Sequence, residues 1–270
     1  MENEKVIAVI DSGVGGLTVA KEIMRQLPRQ PILYLGDNAR CPYGSKTPEE
    51  IRTYSFQMID YVAHTPLKAL VIACNTATAV VLEEARRYLP VPVIGVIEPG
   101  ARAAVKASKN GRIGVIGTEA TIRSQAYSRS LLHIEPDLHV ASLACPAFVP
   151  LVEKHLAHTE EARRVVKDTL APLLREELDT LILGCTHYPL LAPVIQEIVG
   201  QQVTLISSAE ETARELSARI LPEEDNLQEA SPNHVFVTSG DAEMFREIAE
   251  EWLNRSVKVA HHSLETSLQS

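Results

Sequence analysis

The stretch Ile7–Gly13, IAVIDSG, and the stretch Ile113–Glu119, IGVIGTE, decide the fold between them. Each is a short apolar run that ends in polar or glycine residues, and the second begins at 113 against 7, an offset of 106 residues. A second pair follows in the same order: LVIACNTAT at Leu70–Thr78 and LILGCTHYP at Leu181–Pro189, 181 against 70, an offset of 111. Cys41-Pro42 has a counterpart in Cys145-Pro146, 145 against 41, an offset of 104. Three matches in one order predict an internal duplication and therefore two similar α/β domains.

Working outward, further apolar runs lie at Val6–Ile10, Ile32–Leu35, Leu70–Ala73, Val93–Ile97, Ile113–Ile116, Val140–Leu143, Leu181–Leu183 and Val203–Ile206. Such near-continuous Val/Ile/Leu runs fit strands buried on both faces of a parallel sheet. Helical patterns alternate with them. Thr47-Pro48-Glu49-Glu50 reads as an N-cap, a proline at the first helical position and a capping-box Glu. Ile51, Tyr54, Met58, Ile59 and Val62 then mark one face. Ser208 with Glu211 is expected to open another helix in the same way. The alternation predicts an α/β fold with mainly parallel sheets. The expected units are 1–97 with 207–270, and 98–206, crossing near Glu98-Pro99-Gly100. The final stretch is expected to add a strand at Val235–Thr238, a helix around Trp252 and a strand at Val257–Ala260.

Composition narrows the function. The chain has 270 residues, 45% hydrophobic and 23% charged, which is globular rather than disordered. Its 26 Lys and Arg against 35 Asp and Glu give a formal charge of −9, which argues against a nucleic-acid surface. No apolar run approaches the roughly 18 residues of a membrane helix, and the opening MENEKVIAVIDSG lacks the pattern of a signal peptide. Four Cys in this length do not read as a disulfide framework. A cytoplasmic, reducing location with free thiols is the expectation.

Ligands of parallel α/β sheets bind beyond the carboxyl ends of the strands. The residues placed there are Asp11-Ser12, Asp37, Cys74-Asn75-Thr76 and Cys185-Thr186-His187. Cys74 and Cys185 occupy equivalent points of the duplication, so a pseudo-two-fold would set two thiols face to face across an interdomain cleft. A lone Cys is usually a small buried hydrophobe. Two equivalent ones, each followed by polar residues, point instead to chemistry. Facing thiols suit inversion of a stereocentre, with a base on one face and an acid on the other. Each needs help toward thiolate, from a following helix N-terminus or from Asp11 or His187. Asp11 alone would read as a cap, and His187 alone as a structural histidine. Cys41 and Cys145 have no adjacent acid or base and read as structural.

Cofactor signatures are weak. Gly13-Val14-Gly15-Gly16 is followed by Thr18 where the dinucleotide fingerprint needs glycine. Zinc on Cys74, Cys185 and His187 lacks ligand spacing, and His261-His262 is expected to be solvated. No Lys follows the flagged strands to hold pyridoxal phosphate. The expectation is no cofactor and no metal.

Together, DSGVGG, GDNARCPYG, ACNTAT and GCTHYP resemble the cofactor-independent bacterial glutamate racemases, in that family's order and over most of the chain. Related aspartate racemases typically carry Glu after the second Cys-Thr, where this chain has His187. The resemblance implies reversible L-/D-glutamate interconversion that supplies D-glutamate for peptidoglycan. It implies that Cys74 deprotonates D-glutamate and Cys185 L-glutamate, with Asp11 and His187 assisting. Asp37 and Glu153 match further acidic positions discussed as assisting. Substrate contacts would come from Asp11, Ser12, Tyr43, Gly44, Asn75, Thr76, Thr186 and His187. The C-terminal stretch would return to the first domain, and the enzyme would be a homodimer. The alternatives are an aspartate or other amino-acid racemase, or a non-catalytic amino-acid-binding protein. Glutamate has two carboxylates, yet DSGVGG, ACNTAT and GCTHYP contain no Lys or Arg. Helix N-termini with Ser12, Asn75, Thr76 and Thr186 are expected to hold them.

Overall fold

The structure is a computed structural model, and it describes residues 5–220 and 232–264. Parts of the expected first unit, 1–4, 221–231 and 265–270, lie outside the described residues. The first half runs β1 (Val6–Asp11), α1 (Leu17–Gln26), β2 (Ile32–Gly36), α2 (Pro48–Ala63), β3 (Leu67–Ile72), α3 (Asn75–Tyr88) and β4 (Val93–Gly95). Helix α4 (Ile97–Ala107) leads into β5 (Arg112–Gly117), α5 (Glu119–Ser124), α6 (Ala126–Ile134) and β6 (His139–Ala144). Next come α7 (Phe148–Glu153), α8 (Glu160–Leu170), β7 (Thr180–Gly184), α9 (Ala192–Val199) and β8 (Thr204–Ile206). The chain closes with α10 (Ser208–Arg219), β9 (Val235–Thr238), α11 (Ala242–Leu253) and β10 (Val259–His261).

These strands form two sheets, β10-β9-β2-β1-β3-β4 and β6-β5-β7-β8, with every pairing parallel. The duplication is visible in the order: β2-β1-β3-β4 and β6-β5-β7-β8 have the same connectivity. The C-terminal β9 and β10 extend the first sheet beyond β2.

Strand alternation explains the four cores. Ile7, Val9, Ala69 and Val71 point into one core with α1, α10 and α11. Ala8, Ile10, Leu70 and Ile72, one residue out of step, point into the other with α2 and α3. In the second sheet Leu181 and Leu183 face α7, α8 and α9, while Ile182 faces α4 and α6. Successive side chains alternate faces, so a strand covered on both sides must be apolar throughout. The expectation of burial on both faces fails at β6, an edge strand that stays partly exposed along its length.

Local signals behave as their chemistry requires. Thr47 Oγ1 accepts from the Glu50 N–H at 3.2 Å, and Glu50 Oε2 accepts from the Thr47 N–H at 2.9 Å, with Pro48 first in α2. One expectation shifts. The cap of α10 is Ser207, whose Oγ accepts from the Ala209 N–H, rather than Ser208. Glu98-Pro99-Gly100, where the crossing is expected, forms the first turn of α4. Proline is tolerated there because N–H groups of a first turn have no intrahelical partner. No described helix is long and apolar enough to cross a membrane. Replacing Thr47 by Ala should cost about 1 kcal/mol of stability, read from the urea midpoint. An unchanged midpoint would show that the capping box does not stabilise α2.

Candidate active site

The carboxyl ends of β1, β3, β5 and β7 converge on a narrow, nearly filled slot. It is lined by Ser12, Pro42, Tyr43, Gly44, Cys74, Asn75, Thr76, Thr118, Val149, Cys185, Thr186 and His187. Nine of these are residues expected from the sequence, and the slot takes residues from both sheets. A larger cavity between α3, α4 and α6 contains none of the expected residues.

Cys74 ends the β3 segment and is the N-cap of α3. Its Sγ accepts from the Ala77 N–H at 3.4 Å and lies 3.5 Å from Ser12 Oγ. Burial pushes this thiol up to about 12, and the Asp11 charge adds to the rise. The Ala77 N–H and Ser12 oppose it. Cys74 therefore rests as a thiol, able to give a proton.

Cys185 has a different neighbourhood. No regular helix starts directly after it. A short 3-10 turn at Tyr188–Leu191 precedes α9, so the expected second helix N-terminus is absent at this thiol. His187 replaces it, with Nδ1 3.8 Å from Cys185 Sγ. On its other side Nε2 lies 3.3 Å from Glu153 Oε1. Burial alone would lower the His187 pKa. Contacts with Cys185 and Glu153, with the nearby Asp11 charge, outweigh burial and raise it to about 10. Glu153 is held down in turn: burial would raise it, but His187 and the Cys41 thiol prevail.

Asp11 is fully buried beneath the slot. It accepts from the Gly13 N–H at 3.0 Å and from Thr186 Oγ1 at 3.4 Å. Burial raises its pKa, against the pull of His187 and the loop amides. Asp11 thus braces the glycine loop and faces His187 electrostatically, but it does not cap α1, whose N-cap is Gly16 with no side-chain cap bond. Asp37 does not line the slot. It accepts from the Arg40 Nε–H at 2.7 Å, from Ser239 Oγ at 2.6 Å and from the Tyr43 hydroxyl, so it reaches the slot only through Tyr43.

Two glycines allow the halves to meet. A Cβ on Gly15 would lie 2.3 Å from Thr186 Oγ1 and 2.7 Å from His187 Nδ1. One on Gly44 would lie 2.5 Å from Thr118 Cβ. The glycine loop thus works as a contact surface between halves. Asn75 is held from across the interface by the Tyr127 hydroxyl, which donates to its Oδ1 at 2.6 Å. Thr76, Thr118 and Thr121 share hydroxyl bonds of 2.8 to 3.1 Å. None of the residues lining the slot is Lys or Arg.

The sequence reading missed Thr118, Val149, Pro42 and the place of Cys41. Thr118 had a signal, since the offset of 106 puts it opposite Ser12. Val149 had none. Cys145 is buried in a core, as expected. Cys41 is only partly buried, and its Sγ donates to Glu153 Oε1 at 3.1 Å, so it stands beside the site.

Two strand-end thiols flanked by an acid and an imidazole, in a slot between duplicated α/β halves, are the setting of an amino-acid racemase. The sequence pattern of the Asp/Glu/hydantoin racemase family matches residues 7–216, and the chain belongs to that family. It is 54% identical over 257 residues to the glutamate racemase of Exiguobacterium sibiricum, covering 93% of each. Its structure matches a glutamate racemase isoform from Bacillus anthracis with a TM-score of 0.92 at 50% identity, over 97% of this chain and 98% of that one. It also matches the Francisella tularensis glutamate racemase solved with D-glutamate, TM-score 0.89 at 32% identity, over 97% and 99%.

Two outcomes follow from this geometry. The backbone at Gly15 is not left-handed, so the cost of Gly15→Ala lies in the contact itself: turnover should fall about 100-fold and the unfolding midpoint should drop as the loops are forced apart. Near-normal turnover would show that the contact is dispensable. The His187 ring, followed by NMR, should titrate near 10 rather than about 6.5. A raised histidine pKa stabilises the fold fully below the unfolded value and loses that contribution as pH rises through about 10. A midpoint near 6.5 would remove the imidazolium from the site.

Proposed function

We propose that this enzyme interconverts L- and D-glutamate by two-thiol proton transfer. The observation that carries the reading is the pair Cys74 and Cys185 at equivalent strand ends in one narrow slot, with a different proton partner at each. In the L-to-D direction Cys185, as thiolate beside the His187 imidazolium, takes the Cα proton. The electron pair spreads into the adjoining carboxylate. The Cys74 thiol delivers its proton to the opposite face, leaving Cys74 as thiolate and Cys185 as thiol. One proton leaves carbon and one arrives, so no oxidant or reductant is needed. The reverse direction exchanges the roles, and Asp11 and His187 restore the resting protonation.

Substrate carboxylates are held by neutral donors: Ser12, Asn75, Thr76, Thr186 and the N–H groups opening α3. Tyr43 and Gly44 close one wall, and Asp37 positions Tyr43. A slot this narrow requires the halves to part for entry. The moving units in this reading are 1–97 with 207–270, and 98–206. They are supported by the separate sheets into which β1–β4 with β9–β10 and β5–β8 fall. The reading extends to a cytoplasmic homodimer that feeds D-glutamate to peptidoglycan synthesis, as the family implies.

The metal-free chain in D2O with either enantiomer should incorporate deuterium at Cα as optical rotation decays. Cys74→Ala and Cys185→Ala should each abolish racemisation. Absence of exchange in the intact chain under reducing conditions would refute the reading, as would near-normal turnover in either variant.

A further inference from the structure

The racemisation scheme leaves one nucleophile beside the site unused. Cys41 Sγ, Glu153 and His187 Nε2 place one ligand atom each within 4.8 Å of one another. The Sγ to Glu153 Oε1 distance is 3.1 Å and the Oε1 to Nε2 distance is 3.3 Å. Zinc bonds of about 2.0 Å to nitrogen or oxygen and 2.3 Å to sulfur, at tetrahedral angles, put such donors about 3.3 to 3.5 Å apart. Those two contacts already have nearly that spacing, and the third, Cys41 Sγ to His187 Nε2, lies within 4.8 Å. A second, independent observation concerns His187. It is only 2% exposed, and its Nε2 makes no hydrogen bond among the described residues, only the 3.3 Å ion contact with Glu153 Oε1. In the neutral imidazole this nitrogen offers a lone pair for which no described group supplies a donor. Cys41 and Glu153 are partly exposed, which gives an ion a way in.

We propose that Cys41, Glu153 and His187 form an inhibitory zinc site. One thiolate, one carboxylate and one imidazole are a three-ligand set with a fourth position open to water. Ligation displaces the Cys41 thiol proton and the His187 Nε2 proton to solvent. No electron transfer is involved. The bound ion takes His187, which lies 3.8 Å from Cys185 Sγ, out of its role as that thiol's proton partner, and it takes Glu153 as well. Racemisation then stops in both directions, because each direction uses both thiols. The ion is an inhibitor and not a cofactor. This set differs from the Cys74, Cys185 and His187 combination, which spacing disfavours. The inhibitory half rests on the racemase reading, whereas the binding half stands alone.

The test uses the purified full chain, reduced and in a non-chelating buffer. Zinc should bind once per chain, lower D2O exchange of glutamate about tenfold or more, and be reversed by a chelator. Cys41→Ala, measured against its own metal-free rate, should need about tenfold more zinc or greater for the same inhibition. Cys41→Ser, which keeps a polar group of similar size, guards against a folding defect in the alanine variant. Cobalt(II) replaces zinc as a spectroscopic probe. A thiolate-to-cobalt absorption should appear in the wild type and vanish in both variants. Equal zinc sensitivity of wild type and variants overturns the proposal. So does a thiolate–cobalt band that survives loss of Cys41, which would put the ion on Cys74 or Cys185. A bound ion with turnover intact overturns it as well. Loss of exchange in metal-free wild type would instead count against the racemase reading, so the two failures are distinguishable.

Discussion

The molecule depends on one backbone contact: the Gly13–Gly16 loop of the first half lies directly against the Thr186–His187 segment of the second. Only a residue without a side chain fits at Gly15, where a Cβ would fall 2.3 Å from Thr186 Oγ1. The approach buries Asp11 and His187 in one dry region. Burying either charge alone would be expensive, and having both there changes the balance. His187 keeps its proton because Cys185, Glu153 and Asp11 surround it with negative charge. The same contact closes the slot and keeps bulk water from a carbanion forming there.

Duplication supplies two thiols at matching positions, and local structure then makes them unequal. Cys74 meets the N-terminus of α3 and a serine hydroxyl, in a burial that favours its neutral form. Cys185 meets an imidazolium, since the chain after it makes a 3-10 turn at Tyr188-Pro189 before any helix begins. A symmetric pair would have no preferred resting state. This pair is unequal before substrate arrives, and the proposed reaction, which removes a proton on one face and delivers one on the other, would draw on that difference.

Much of this was legible in the residues. The Val/Ile/Leu runs located eight of the ten strands among the described residues, because strands covered on both faces must be apolar at every position. Thr47 and Glu50 announced a capping box because only that pair satisfies two orphan donors at once. Edge character was not legible: Val140–Leu143 reads like an interior run, and only the sheet order leaves β6 without a second neighbour. Thr118 was recoverable from the repeat, but Val149 was not, because nothing distinguishes a slot-lining valine from a core one before the halves are assembled.

By itself, the sequence determined the α/β class, the duplicated halves and the paired cysteines, because periodicity, capping and internal repeats are properties of neighbouring or aligned residues. The tertiary structure alone decided what each pair of groups does. Cys41 and Glu153 are 112 residues apart in the chain, and Asp11 and Thr186 are 175 apart. Their contacts exist only where the carboxyl ends of the two sheets meet. The protonation of His187, the difference between the two thiols and the Cys41–Glu153–His187 cluster all follow from distances and burial across that seam. Coulomb attraction and desolvation depend on separation in space, which one-dimensional spacing does not encode.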